Sequence, residues 1–430
     1  MGVIHEQSQA SHFFSKKFVP CYLYTFIPLA LLHYYVFPLS CTTNTPEQLQ
    51  SAITTASLVP STQDKEAKLN RQVRCDYSEG QWVQTTSKPL YNGTSCGIIK
   101  GAQNCMVHGR PDTGFLYWKW QPKDSRCIVP VFDALAFLRI IKNKHLAFVG
   151  DSMARNQLES LICLLSTASQ PDLVYQDSEA KKFRRWVFHD YNATVSAFWS
   201  PFLVKGSENV KAKEIYHNIL YLDTVNKQWA SELDKFDILV FSNGHWFLHK
   251  AMYYEEGNHL LGCNSMEQFN CTNFSFFNAF SKVIHTALEE VTSRFYGSDK
   301  AVVVATFTSG HFEGDWDKFG ACPKTAPYKE REIEMPYLEK EMRKLGIEEV
   351  EMARKKVKEM GGRLTVEALD VTKLALLRPD GHPGPYMFPN PFANGIKERV
   401  QNDCVHWCMP GPIDTWNAIL LEIMKKWKQD

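Results

Sequence analysis

The chain has 430 residues, with 48 lysines and arginines against 47 aspartates and glutamates, and a formal net charge of +1. This length allows one large domain or two ordinary ones with a sizeable core. A nearly neutral chain without basic tracts makes nucleic acid a poor partner. The 11 Trp and 17 Tyr residues are compatible with a carbohydrate cleft, where flat rings stack on sugars, although most such side chains serve as core.

The first feature in chain order is an apolar run from Phe18 to Leu39 without a charged residue. About 20 apolar residues are enough to cross a bilayer. Two lysines precede the run and the next basic residue is Lys65. The positive-inside bias therefore predicts a cytosolic tail at 1–17, a transmembrane signal anchor at 18–40 and a lumenal remainder. A cleaved signal peptide is the alternative, but the run is longer than a usual signal core.

Residues 41–74 are rich in Thr, Ser, Gln and Pro, which predicts a flexible stem because such a segment buries too little apolar surface to fold alone. Ten of the 12 cysteines follow this stem, an even set that an oxidising compartment would pair into disulfides. Four N-glycosylation sequons also fall on the predicted lumenal side, at Asn92, Asn192, Asn270 and Asn273.

The folded part begins with a turn-rich stretch at 75–129 that contains four cysteines, which predicts a disulfide-stapled N-terminal subdomain. From residue 130 to residue 430, short apolar runs alternate with amphipathic segments. This alternation predicts an α/β domain with three layers around a mainly parallel sheet, whose active site lies at the carboxyl ends of the strands. The predicted strands are 145–150, 236–242, 301–307 and 363–369, and the predicted helices are 133–144, 152–165, 275–296, 330–360 and 412–427.

The tripeptide Gly150-Asp151-Ser152 lies between a predicted strand and a predicted helix. A serine at this point has an exposed hydroxyl, and the free N–H groups of the helix start can stabilise an oxyanion. Serine and aspartate are also common helix caps here. The tripeptide alone is therefore equally compatible with a nucleophile and with a cap.

A second motif, Asp403-Cys-Val-His406, lies near the C-terminus. Spaced by one turn, the two side chains point the same way. Histidine can then accept the proton of a serine while aspartate fixes its tautomer. A lone Asp-x-x-His is usually a surface pair, but Cys404 and Cys408 would make this loop rigid if they were bridged. An early serine and a late Asp-x-x-His together predict a triad of Ser152, His406 and Asp403.

These blocks resemble the SGNH hydrolase-like superfamily and, more closely, the plant trichome birefringence-like family of polysaccharide O-acetyltransferases. The matching stretches run from Cys75 to the C-terminus and cover the whole folded region. They include Cys75-Asp-Tyr-Ser-Glu-Gly-Gln-Trp, Leu146-Ala-Phe-Val-Gly-Asp-Ser-Met-Ala-Arg-Asn, Gly244-His-Trp, Arg378-Pro-Asp-Gly-His-Pro and Asp403-Cys-Val-His-Trp-Cys-Met-Pro-Gly-Pro-Ile-Asp-Thr-Trp-Asn.

The resemblance implies a two-step acyl transfer. Ser152 would take an acetyl group from a donor, for which the family implies acetyl-CoA, and a sugar hydroxyl deprotonated by His406 would receive it. The family also implies a single-pass type II protein of the Golgi membrane with a lumenal catalytic domain. The sequence shows no metal cluster and no nucleotide-binding loop, so no bound cofactor is expected.

The resemblance extends to supporting residues. Arg155 matches a family position and would either brace the active-site loop or assist the oxyanion, and Asp151 would support the same turn. Relatives often read Asn-Thr-Gly-His-Trp where this chain reads Ser242-Asn-Gly-His-Trp, so Asn243, shifted by one, is only a candidate oxyanion donor. The family implies the disulfides Cys75–Cys127, Cys96–Cys163, Cys105–Cys408 and Cys322–Cys404, and a local Cys263–Cys271 bridge would pair the rest.

Within the family, residues 263–271, 310–313 and 374–380 look most like the xyloglucan-acetylating branch. Xyloglucan is therefore the predicted acceptor, and the residues leave open whether galactose or glucose receives the acetyl group. Xylan, mannan or pectin as acceptor, a polysaccharide acetyl esterase, and a non-catalytic glycan-binding protein are the alternatives. Asp380-Gly-His382 resembles a rival acid and base, but its Pro and Gly neighbours favour a rigid loop.

Overall fold

The computed structural model describes residues 75–99, 101–177, 182–396 and 398–427. The predicted tail, anchor and stem lie outside these residues. Within the described ranges, no helix combines the length and apolar character that crossing a bilayer requires.

Each predicted strand and helix is present among the described residues, but the helix predicted at 330–360 begins only at Tyr337. The strands are β1 Gly80–Gln84, β2 Trp118–Pro122, β3 His145–Gly150, β4 Asp172–Gln176, β5 Phe183–Phe188, β6 Ala193–Trp199, β7 Val204–Ala212, β8 Ile215–Val225, β9 Ile238–Ser242, β10 Ala251–Glu255, β11 His259–Asn264, β12 Ala301–Ala305 and β13 Thr365–Leu369. The helices are α1 Ala134–Ile140, α2 Ser152–Leu165, α3 Lys227–Ala230, α4 Phe276–Phe295, α5 Tyr337–Glu359, α6 Thr372–Leu376 and α7 Ile413–Lys426.

The central sheet has seven strands in the order β13-β12-β9-β3-β6-β5-β4. The strands from β13 to β6 are parallel to one another, whereas β5 and β4 pair antiparallel. A second sheet, β11-β10-β8-β7, is parallel only between β8 and β10. The sheets are thus mixed, and the expected mainly parallel sheet is found only in part. Short connections such as the one through Asn192, at φ 47°, reverse the chain and impose antiparallel pairing.

Alternate side chains of the central strands enter two separate cores. Leu146, Phe148 and Val240 lie on the face that is covered by α1, α2 and α7. Ala147 and Val149 lie on the opposite face, against α4 and α5. Because successive strand residues point to opposite faces, strands covered on both sides must be apolar throughout, which is why they were visible as continuous apolar runs.

The Cys75–Cys127 disulfide closes the N-terminal segment, and Cys96–Cys163 joins it to α2. Its two strands, β1 and β2, pair antiparallel and place the rings of Trp82 and Trp120 edge to face, with their centroids 5.5 Å apart. The indole of Trp82 donates to the Leu374 carbonyl at 3.0 Å. The segment is therefore packed on the α/β domain, and residues from Cys75 onward form one compact unit.

A buried ion pair stabilises the same contact between the N-terminal segment and the α/β domain. Arg378 and Asp380 are 1% and 0% exposed, and they form two hydrogen bonds of 2.8 and 3.0 Å. The guanidinium also donates to the Phe115 carbonyl at 2.7 Å and lies 4.4 Å from the Trp82 ring centroid. This side chain therefore links the N-terminal segment to the loop that follows α6.

Asp380→Asn should destabilise the protein by about 3–5 kcal/mol, because it leaves the Arg378 charge buried without its counterion. The free energy of unfolding, from urea titration with the disulfides intact, measures this loss. Asp317→Asn breaks the exposed pair with Arg399 and should leave the unfolding midpoint nearly unchanged. Equal effects of the two substitutions would show that the buried pair has no special role.

Candidate active site

The turn that carries Ser152 is shaped by the contact between β3 and β9. Gly150 is paired with Ser242, and a Cβ atom on Gly150 would lie 1.8 Å from the Ser242 carbonyl oxygen. The Asp151 N–H donates to the same oxygen at 3.1 Å. Only glycine allows this close approach of two backbones, after which the chain leaves the sheet and Ser152 begins α2 with its side chain partly exposed.

Asp151 connects this turn to the loop after β9. Its carboxylate caps α2 by accepting from the Met153 N–H at 2.8 Å and also accepts from the Gly244 N–H at 3.1 Å. Burial raises the pKa of Asp151 to about 6, although both backbone hydrogen bonds and the charges of His406 and Arg155 act in the opposite direction. Asp151 is therefore a structural brace of the site and an acid with an unusually high affinity for its proton.

Asp403 and His406 form the predicted pair. Asp403 Oδ2 lies 2.8 Å from His406 Nδ1, and its Oδ1 accepts from the N–H groups of Val405 and His406 at 3.1 and 2.9 Å. Burial by itself raises the pKa of Asp403, but the charge and hydrogen bonds of His406 outweigh it and hold the pKa well below its usual range. Asp403 is consequently a stable carboxylate next to the imidazole.

The tautomer of His406 follows from this contact. A carboxylate only accepts hydrogen bonds, so Nδ1 must carry the proton and Nε2 presents a lone pair. Nε2 is buried and has no hydrogen-bond partner among the described residues. A neutral imidazole with a free Nε2 is the form that a general base needs.

Residues 403–408, the catalytic loop, are fixed at several points. The disulfides Cys322–Cys404 and Cys105–Cys408 hold it at both ends, and these are two of the four pairings that the resemblance implied. Gly384 and Asp403 exchange backbone hydrogen bonds of 2.9 and 3.1 Å, and the Cys408 N–H donates to the Gly381 carbonyl at 2.9 Å. The Asp380-Gly-His382 segment thus supports the catalytic loop, as its rigid-loop interpretation anticipated.

Asn156 joins the catalytic loop to α2. One turn after Ser152, its Oδ1 accepts from the Trp407 N–H at 2.7 Å and its Nδ2 donates to the Trp407 carbonyl at 3.3 Å. Sequence reasoning missed this residue, although Asn156 ends the matching block that begins at Leu146. The signal was its position four residues after Ser152, on the same face of a helix.

The two parts of the triad are adjacent through this contact, but they are not hydrogen-bonded to each other. No bond between Ser152 and His406 is present among the described residues. Such bonds are often long in unliganded sites and form with the substrate. The predicted oxyanion donor Asn243 is 7% exposed. Its amide donates to the Pro201 carbonyl at 3.4 Å, so one of its N–H groups already has an acceptor.

Arg155 lies beside the turn with its guanidinium 5.6 Å from the Trp199 ring centroid. No hydrogen bond or ion pair joins its side chain to a described residue. Burial lowers its pKa, while the carboxylates of Glu159, Asp151 and Asp403 act against this shift. Its free N–H groups border a narrow cleft that Gly150, Lys182 and Arg184 also line. An anion or oxyanion near Ser152 would find donors there.

A larger open groove of about 520 Å³ is lined by side chains of β8, β10, α4 and α5. It contains none of the predicted site residues and has an acidic lining. The geometry of the triad, rather than the size of this groove, therefore locates the candidate site. No group of His, Cys, Asp and Glu in the described ranges is arranged to hold a metal ion.

The four predicted glycosylation asparagines, Asn92, Asn192, Asn270 and Asn273, are all exposed. The carboxamide of Asn92 accepts from the hydroxyl of Thr94, the third residue of its sequon, at 2.7 Å. The predicted local disulfide, Cys263–Cys271, closes a short loop that begins in β11. Glycosylation itself stays a prediction.

Asn156→Ala should slow the labelling of Ser152 by a fluorophosphonate probe about 100-fold, because the catalytic loop loses its link to α2 and small displacements of a base are costly. Asn156→Asp, which keeps the acceptor for the Trp407 N–H, should lose less. Gln157→Ala is the control, since this neighbouring buried amide bonds to Asn417 instead. Equal slowing in the Gln157 variant would indicate general loss of packing.

Comparison with known proteins shows the family of the chain. Residues 129–423 match the GDSL/SGNH-like Acyl-Esterase family found in Pmr5 and Cas1p, and residues 73–127 match the PMR5 N terminal Domain. The chain is 51% identical over 417 residues to Xyloglucan O-acetyltransferase 1 of Populus trichocarpa, with 96% of this chain and 94% of that protein covered.

Two relatives from Arabidopsis thaliana extend the comparison. Xyloglucan O-acetyltransferase 1 is 47% identical over 436 residues, with the whole of both chains covered. Protein trichome birefringence-like 25 is 38% identical over 405 residues, with 90% of this chain and 87% of that protein covered. The chain therefore belongs to the GDSL/SGNH-like acyl-esterase family and, within it, to the trichome birefringence-like proteins.

Proposed function

We propose that this chain is an O-acetyltransferase that moves an acetyl group through an acetyl-serine intermediate onto hydroxyls of xyloglucan. The observation that carries the proposal is the Asp403–His406 pair, with its free Nε2, held against the helix that Ser152 begins. The acceptor is supported by three relatives, 47–51% identical, that are named xyloglucan O-acetyltransferases.

In the first half of the proposed reaction, the Ser152 hydroxyl attacks the carbonyl carbon of the acetyl donor. His406 Nε2 takes the hydroxyl proton, and Asp403 stabilises the resulting imidazolium through Nδ1. Collapse of the tetrahedral intermediate breaks the bond to the leaving group, which receives the proton from His406. The products are acetyl-Ser152 and, for acetyl-CoA as the proposed donor, the free thiol.

In the second half, a sugar hydroxyl replaces the leaving group. His406 removes its proton, the hydroxyl oxygen attacks the acetyl ester, and the Ser152 oxygen leaves with the proton that His406 returns. An oxyanion forms in each half, and donors aimed at it lower the barrier most. Arg155, with free N–H groups beside the turn, is a better placed candidate for this role than Asn243, whose amide is partly engaged.

We also propose that the protein is a single-pass type II protein of the Golgi membrane. The support is the apolar run at 18–39 behind two lysines, five disulfides that require an oxidising compartment, and four exposed sequons. The division into tail, anchor, stem, N-terminal subdomain and catalytic domain is part of the same proposal.

Incubation with acetyl-CoA and a deacetylated xyloglucan oligosaccharide should give an acetylated product by mass spectrometry, and Ser152→Ala should abolish it without unfolding the protein. Digestion of the enzyme after incubation with acetyl-CoA alone should give a Ser152 peptide heavier by one acetyl group, because the intermediate accumulates without an acceptor.

Asp403→Asn should also reduce transfer about 10⁴-fold, since the wrong His406 tautomer is favoured.

The alternatives give different results in the same assay. Release of free acetate from an acetylated glycan, with no transfer product, would identify an acetyl esterase. Faster transfer to xylan, mannan or pectin oligosaccharides would reassign the acceptor. Unchanged transfer by Ser152→Ala would rule out the acetyl-serine mechanism, and glycan binding without transfer would leave a binding protein.

A further inference from the structure

Two buried histidines outside the triad are connected to the catalytic loop. His311 follows β12 and His382 follows the buried Asp380, yet their rings meet with His311 Nδ1 2.7 Å from His382 Nε2. His311 Nε2 lies 2.9 Å from the Leu376 carbonyl oxygen, and His382 Nδ1 lies 2.7 Å from the His406 carbonyl oxygen. The four groups form a continuous chain that ends on the backbone of the catalytic histidine.

The hydrogen bonds of this chain fix its number of protons. Both carbonyl oxygens only accept, so His311 Nε2 and His382 Nδ1 must each carry a proton. A 2.7 Å contact between the two remaining nitrogens requires a third proton, because two facing lone pairs would repel at that distance. Two neutral imidazoles carry two ring protons in total. The arrangement therefore needs one proton more than a neutral pair.

Burial opposes this excess charge. It lowers the pKa of His382 well below its usual range, and the neighbouring His311 adds to the shift; burial also lowers the pKa of His311. The hydrogen bonds to the Leu376 and His406 carbonyl oxygens and the charges of Asp380, Glu313 and Asp403 act against this shift. The charged and titratable groups that face the pair come from separate elements: the anions Glu313, Asp380 and Asp403, the cation Arg110, the phenol of Tyr328 and the imidazole of His406.

Three of these groups are themselves paired. Asp380 binds Arg378, Asp403 binds His406, and Arg110 binds Asp112 while it donates to the His382 carbonyl at 2.7 Å. The charges of Asp380 and Asp403 therefore favour the shared proton, while both carboxylates stay bound to their own partners.

The pair is well placed to position His406. The His382 ring is stacked on Trp407, with centroids 4.3 Å apart and planes at 27°. The backbone N–H of His311 donates to the Cys404 carbonyl at 2.9 Å. Together with the bond to the His406 carbonyl, these contacts hold the catalytic loop in addition to Asn156, which binds the backbone of Trp407.

We propose that His311 and His382 form a buried imidazole–imidazolium pair that shares one excess proton and thereby positions the catalytic loop. Both are positioning residues, because they act through the backbone of His406 and Trp407. Loss of the shared proton to solvent leaves two lone pairs in contact, so one link of the chain must break and His406 is held less firmly. This inference rests on the proposed role of His406 as the base for Ser152.

The test is the rate at which a fluorophosphonate probe labels Ser152 in the full chain, from mildly acidic to mildly alkaline pH. The wild type should show a bell-shaped profile. Labelling falls on the acid side because a general base must be unprotonated, and it falls on the alkaline side because the pair loses its shared proton. The lowered pKa values of His311 and His382 move this second fall toward lower pH. The two limbs thus report on different groups.

Two substitutions of His311, by side chains of similar size, distinguish the acid limb of the pH profile from its alkaline limb. His311→Asn places an amide nitrogen near the position of Nδ1, where it donates to His382 Nε2 without an excess proton. It should keep the acid limb and lose the alkaline fall. His311→Leu cannot bond to His382 and should label roughly 10- to 100-fold more slowly at every pH, since His406 is less well positioned. His189→Asn, at an exposed histidine, should match the wild type.

An alkaline limb that is absent in the wild type, or unchanged in His311→Asn, would overturn the proposal. If His311→Leu does not fold, the comparison of wild type with His311→Asn still decides. A wild-type chain that is never labelled at Ser152 would instead count against the proposed triad. In that case nitrogen NMR of the labelled histidine rings counts the protons directly: three on the pair support the proposal and two refute it.

Discussion

The contact between Asn156 and the backbone of Trp407 joins the two parts of the chain that carry the proposed catalytic residues. One part is the turn between β3 and α2, where Gly150 allows the approach to Ser242 and Ser152 emerges. The other is the catalytic loop, 251 residues further along. The carboxamide satisfies both the N–H and the carbonyl of one residue, Trp407, so it fixes position and orientation together. Without it, the catalytic loop would lose these hydrogen bonds to the helix that Ser152 begins.

The catalytic loop is held from several directions because it has no regular secondary structure of its own. Disulfides fix its ends, the 381–384 segment pairs with its backbone, and His382 stacks on Trp407. The 378–384 segment serves both the fold and the site. Arg378 and Asp380 attach it to the N-terminal segment, and its next residues support the catalytic loop. Stability and catalytic geometry are therefore coupled through one buried ion pair.

Two aspartates of the site show how neighbouring groups decide the charge of a carboxyl. Both are removed from water, which favours the neutral acid. Asp403 has the imidazole of His406 and two backbone N–H groups against it, and its pKa falls well below the usual range. Asp151 has two N–H groups and only more distant cations, and its pKa rises to about 6. The same side chain thus supplies a permanent anion next to His406 and, at Asp151, a brace of the Ser152 turn that takes up a proton more readily than an ordinary carboxylate.

The sequence by itself determined what depends on near neighbours in the chain. Continuous apolar runs located β3, β9 and β12, because strands covered on both faces are apolar throughout. Helical periodicity placed the start of α2 at Ser152, and the three-residue spacing brought Asp403 and His406 together. The resemblance supplied the family and the disulfide pairings. Only the tertiary structure decided which distant segments meet. The antiparallel strands β4 and β5 and the second sheet lacked a strong local pattern, since their faces are partly exposed. Asn156 with Trp407, and His311 with His382, are polar contacts between loops and helices far apart in sequence, and no local periodicity encodes them.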